Sequence, residues 1–230
     1  FIIDRTPPVI TISDTVTPIT NQGVVNGNNL SGKVRIYGTY QDNFSDNMNI
    51  ADANIRIRIN NGSWINLNTT ANVTKNYGSA WNWWYDWDTE TIAEMVKNNV
   101  PIDAECVDLA NNSASTSRNN KNVVSYITTL ASSNPSTYPV YQSKTYGASG
   151  FGYYENDKRY TMQQGTTLLI NGYNLKYSTV NPTVKLGTYT LTVNSATKNQ
   201  ISVNIPTNDT DGKSGNINVT VQGITSNNVM

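Results

Sequence analysis

Histidine is absent from the 230 residues, cysteine occurs once, charged residues make up 14%, and no apolar run approaches the ~20 residues a membrane-spanning helix needs. Each absence excludes something. Without histidine there is no Ser-His-Asp or Cys-His catalysis, no His-ligated zinc and no imidazole proton shuttle. A lone thiol forms no internal disulfide and no four-cysteine metal site. Basic and acidic residues balance at 16 each, so the chain lacks the positive field that nucleic acids and anionic membrane surfaces attract. Glutamate is scarce as well, 4 residues against 35 asparagines and 29 threonines. That balance disfavours long helices and favours strands joined by turns. No basic segment leads into an apolar stretch at the start; the chain opens at Phe1 inside a linker-like stretch, which predicts a piece of a longer polypeptide.

What is present is a succession of short alternating segments, the pattern of β-sandwiches. VRIYGTYQD (34–42), NIRIRINNG (54–62), WNWWYDWDT (81–89), PIDAECVDLA (101–110) and NVVSYITTL (122–130) form a first group. TTLLINGYNL (166–175), TVKLG (183–187), YTLTVNSA (189–196), QISVNIP (200–206) and NINVTVQG (216–223) form a second. Between them ASSNPSTYP (131–139) has no period and marks a boundary. The expectation is an all-β chain of two consecutive Ig-like β-sandwich domains, 1–130 and 136–230, joined by a linker over 131–135. TETIAEMVKN (89–98) stands apart: Ile92, Met95 and Val96 fall at helical spacing, which predicts one short helix in the first domain, capped by Asp88 or Thr89.

The first half resembles the Ig-like domains that occur in tandem on bacterial surface and secreted proteins. The residues that carry the resemblance are DRTPPVITI (4–12), GKVRIYGTYQD (32–42), NIRIRINNGSW (54–64), WYDWDT (84–89) and DLANNS (108–113). Asn111 stands where that family has glycine; asparagine tolerates the left-handed conformation better than other side chains. The second half is similar to an IPT/TIG domain, another Ig-like sandwich, through GTTLLINGYNL (165–175), the strand ending in Leu186–Gly187, NQISVNIP (199–206) and GNINVTVQGITSNN (215–228). The resemblance implies a module without catalytic residues.

Four of the five tryptophans sit in WNWWYDW (81–87). Strand alternation sends Trp81, Trp83, Tyr85 and Trp87 one way and Trp84 the other. The Ig-like resemblance makes Trp83, Tyr85 and Trp87 core, which leaves Trp84 outward, where its ring suits a sugar, a neighbouring domain or a loop of its own domain. A Tyr-rich segment over 138–160 includes Tyr146, Tyr153 and Tyr154; tyrosine and glycine together suit either a binding surface or a plug at a domain junction. Asp103 and Glu105 share a strand face, where a solvated pair is expected rather than the flanking carboxyls of a glycosidase. QDNFSDNMN (41–49) and NDTDGKSGN (208–216) offer oxygens, but neither has the ligand set of a tight calcium loop. Cys106 reads as a core thiol, and no metal or cofactor is expected. The functional expectation is a non-catalytic spacer and contact module of a larger bacterial cell-surface or secreted protein, hence extracellular, touching neighbouring domains of its own polypeptide. The alternative is a carbohydrate-binding module using Trp84 with Tyr146, Tyr153 and Tyr154, and a glycan or a host or matrix protein is the external partner considered.

Overall fold

The computed structural model describes residues 4–43, 49–67, 71–91, 96–133, 141–146, 153–161, 165–207 and 215–229, with the backbone alone for 141–146 and 153–161. Nearly all the regular structure is β, in two compact units. The first comprises Phe1–Thr89 and Lys97–Val123. Its strands are β1 (Val9–Asn26), β2 (Asn29–Gln41), β3 (Arg56–Ile59), β4 (Ile65–Asn66), β5 (Val73–Thr74), β6 (Trp81–Asp88), β7 (Lys97–Val107) and β8 (Ser113–Val123). They form two layers, β1-β2-β6-β5 and β4-β3-β7-β8, linked through a two-residue parallel pairing of Asn29 and Leu30 with Asn122 and Val123. That is the strand order of the immunoglobulin sandwich.

The period-2 pattern explains the layers. On β7 Val100, Ile102, Ala104 and Cys106 are buried and alternate with partly exposed neighbours; on β6 Trp81, Trp83 and Trp87 are buried. Tyr85, expected in the core with them, is half-buried. Gly38 of β2 lies opposite Trp83, and a Cβ there would fall 2.0 Å from the Thr11 carbonyl oxygen and 2.1 Å from the Trp83 ring. Glycine is therefore what lets the indole lie flat across β2. Along β1 the register shifts twice, after Ile12 and after Pro18. Arg118 and the buried Lys121 of β8 donate to the Ile12 and Asp14 carbonyl oxygens at 3.2 and 2.8 Å, satisfying backbone groups that the first bulge frees.

The second unit comprises Val124–Met230 together with Glu90–Val96. Its strands are β9 (Tyr126–Ser132), a separate hairpin of β10 (Tyr141–Tyr146) and β11 (Tyr153–Thr161), then β12 (Thr167–Tyr173), β13 (Thr183–Leu186), β14 (Tyr189–Ala196), β15 (Gln200–Asn204), β16 (Ile217–Val221) and β17 (Ile224–Thr225). The main sheet runs β17-β16-β13-β14-β15-β12-β9. Its core gathers Ile127, Leu130, Leu168, Ile170, Leu175, Val184, Ile201, Val203 and Val219, and Val96 joins them. The Glu90 carboxylate accepts hydrogen bonds from the Asn174 backbone N–H at 3.1 Å and from Asn199 Nδ2 at 2.7 and 2.9 Å.

The division between units therefore differs from the one read in the sequence. NVVSYITTL is not one strand: it holds the end of β8 and the start of β9, and the chain changes units between Val123 and Val124. Ser125 Oγ donates to the Asn174 carbonyl and Asn174 Nδ2 donates to the Val124 carbonyl, while β9 pairs with β12. Residues 131 and 132, expected in the linker, extend β9. The interior of the helix expected over 89–98 lies outside the described residues, and its ends are turn, bend and strand; the one described helical turn in the first unit is a 3-10 turn at Ile50–Ala53.

Two outcomes follow from this packing. Trp83→Ala and Trp87→Ala each lower stability by about 3–5 kcal/mol, whereas Trp84→Ala costs under about 1 kcal/mol, measured by chemical denaturation. A fragment spanning 124–230 keeps β9 and gives a dispersed amide NMR spectrum; one spanning 136–230 loses Ile127 and Leu130 from its core, exposes the edge of β12, and does not.

Candidate functional site

Trp84 lies on β6 opposite Tyr37 of β2, two residues from the Arg35–Asp86 cross-strand pair. Arg35 donates Nε and Nη2 to the two Asp86 carboxylate oxygens at 2.5 and 2.8 Å, and its guanidinium sits 5.8 Å from the Trp84 ring centroid. Hydrogen bonding to Asp86 raises the Arg35 pKa further above its ordinary value. Trp84 is thus on the outward side of its sheet, half-buried, with one cation already at its ring. Tyr146 ends β10, Tyr153 and Tyr154 begin β11, and Tyr146 stands opposite Tyr153 in register. Their side chains lie outside the described residues. Trp84 belongs to the first unit and the three tyrosines to the second.

The two carboxylates on β7 are structural partners of arginine. Arg58 Nε donates to Asp103 Oδ2 at 2.8 Å and Arg56 Nη2 to Glu105 Oε1 at 2.9 Å, in the cross-strand pairs that the β3–β7 register sets opposite one another. Partial burial works against the Asp103 charge, but hydrogen bonds from Ser117 and Arg58, with the Arg58 charge, outweigh it and hold the carboxyl below its ordinary value. A general acid needs the opposite shift. Cys106 is buried and its thiol is pushed up to about 12, chiefly by burial, so it presents no thiolate nucleophile.

A third group was not singled out in the sequence. Carboxylate oxygens of Asp4, Asp42 and Asp108 lie within 4.8 Å of one another, the last two residues buried. Asp4 precedes β1, Asp42 follows β2 and Asp108 follows β7. Asp108 accepts from the Ala110 and Asn112 backbone N–H groups and from Asn112 Nδ2, each at 2.8 Å, and so staples the turn in which Asn111 takes φ 65°. Asp42 and Asp4 accept from the backbone N–H groups of Asn43 and Thr6 at 2.8 and 2.9 Å. Burial, and after it the nearby Asp42, Cys106, Asp108 and Asp4, push the Tyr40 hydroxyl pKa well up. Among the described residues these are the carboxylates able to hold a hard cation. No run of consecutive loop ligands marks them in the sequence, because each comes from a different strand end. Residues 44–48 and 208–214 of the two loops weighed for calcium lie outside the described residues.

The second unit also carries a family signature. Residues 158–230 match the family model of the IPT/TIG domain. The match begins within β11, takes in β12 to β17, and includes the GTTLLINGYNL segment. IPT/TIG domains are non-enzymatic Ig-like modules that make protein contacts. A search of curated proteins returned no match to the chain. For the first unit the Ig-like architecture rests on its strand order alone.

The Asp103 pKa has a signed consequence. Because the folded value is depressed, the ion pair contributes stability above the ordinary value of 3.8 and loses it as pH falls through the lower folded value. Asp103→Asn therefore costs about 0.5–1 kcal/mol near neutral pH. Urea denaturation at successively lower pH below 3.8 shows the gap to wild type closing.

Proposed function

We propose that the chain is a non-catalytic contact and spacer module of a larger bacterial cell-surface or secreted protein, working outside the cell. The observation that carries this reading is the IPT/TIG match on an all-β unit, preceded by a second unit of Ig-like strand order. Three features support it. Histidine is absent; the β7 carboxylates are tied to arginines; the thiol is buried. Two β-rich units in succession offer broad sheet faces, which suits spacing and docking more than turnover. The partners in this reading are neighbouring domains of the same polypeptide and a host or matrix protein.

An antibody raised against the chain tests the placement. It is expected to label intact, unpermeabilised cells of the source organism or its culture medium, and brief protease treatment of whole cells removes the surface label. Label that appears only after lysis overturns the extracellular reading. Purified chain that hydrolyses a chromogenic glycoside or ester, with the activity lost in Asp103→Asn, overturns the non-catalytic one.

A further inference from the structure

The fifth tryptophan, outside the aromatic cluster, has the more distinctive environment. Beyond β3 the chain reverses through Asn60 and Asn61, both left-handed at φ 54° and 57°, and the Gly62 N–H donates to the Ile59 carbonyl at 3.0 Å. β4 then returns beside β3, pairing Ile65 with Ile57 and Asn66 with Arg56. Trp64 directly precedes β4, and its ring spans two guanidiniums, with Arg58 Cζ 4.7 Å and Arg56 Cζ 4.8 Å from the ring centroid. Among the described residues Arg56 Nε has no hydrogen-bond acceptor and is cut off from water, as expected beneath an indole. Both arginines are fixed from the far side, by Asp103 and Glu105. Trp64 itself stays partly exposed.

From this geometry we infer that Trp64 is the stacking platform of a neutral-carbohydrate binding site on the outward face of β3, β7 and β8. The ring packs on a cation pair that is itself pinned by carboxylates, so it is held without help from a ligand. The apolar C–H face of a pyranose fits the part of the ring that stays exposed. The rows Ser117–Asp103–Arg58 and Ser115–Glu105–Arg56, set by the β3–β7–β8 register, supply acceptors and donors for sugar hydroxyls beside the ring. Two arginines and two carboxylates cancel, so the site favours an uncharged glycan over a polyanion. Among the described strands β4 is the edge of its layer, the flank along which a polymer would run past the ring. The inference goes beyond the contact and spacer reading and stands or falls separately from it, since its test uses the purified full chain and no cell.

Affinity electrophoresis in native gels containing mixed-linkage β-glucan, xylan, galactomannan or dextran, with polygalacturonate as the charged control, decides the matter. Wild type is expected to be retarded by at least one neutral polymer. Trp64→Ala weakens that binding by about ten-fold or more, and Trp84→Ala leaves it unchanged. Thermal melting establishes that Trp64→Ala is folded. Should it unfold, NMR titration of wild type with the retarding polymer's oligosaccharide replaces it: the Trp64 indole N–H signal, assigned through Trp64→Phe, moves. Retardation by none of the neutral polymers, retardation by polygalacturonate alone, equal retardation of a folded Trp64→Ala, or a Trp64 signal that stays still while another indole moves, each overturns the inference.

Discussion

The first unit depends on the three indoles of β6 entering the sandwich together. Trp81, Trp83 and Trp87 are buried almost completely, and the space for Trp83 exists only because β2 carries glycine at position 38. That fit permits one register between β2 and β6, since a slip of one residue would turn the indoles to the solvent face. Once the register is set, the outward pairs follow without further choice: Arg35 faces Asp86, and Tyr37 faces Trp84. Tyr40 packs against Trp81 with ring centroids 5.3 Å apart. The surface chemistry of this layer is a by-product of its core.

The opposite layer shows how few charges can do specific work. β3 and β7 present Arg56, Arg58, Asp103 and Glu105 outward in matched pairs, and each pair alone is worth little in water. Their effect is positional. They fix two guanidiniums at a spacing that an indole can span, and the left-handed Asn60–Asn61 turn delivers Trp64 onto them. In the second unit a comparable role falls to amides: Asn171, Gln200, Asn194 and Asn204 cross-link neighbouring strands through their side chains. The second unit thus ties neighbouring strands with neutral amide hydrogen bonds where the first uses ion pairs.

Much of the architecture was legible in the linear pattern. The all-β class, the alternation that buries Trp83 and Trp87, the left-handed Asn111 and the IPT/TIG signature are all local properties, set by period 2 and turn chemistry. β8 was not legible: its inward residues near Cys106 include only Ala114 and Thr116, too small and polar to give an apolar rhythm. Missing it displaced the unit boundary, because 122–130 then read as a single strand. The contribution of Glu90 and Val96 to the second unit had no local signal either: the helical spacing read over 89–98 says nothing of which core the segment joins.

The sequence by itself determined which residues of each strand face inward, because alternation needs only the pleat of one strand. It also set the limits on chemistry, because a missing residue type is missing everywhere. Tertiary structure decided what stands beside what. Trp64 meets two arginines because β3 and β4 are neighbours; Asp4, Asp42 and Asp108 converge because three strand ends share one end of the first unit. Strand order depends on pairing between segments far apart in the chain, stabilised by burial of the whole core, and no window of sequence contains it.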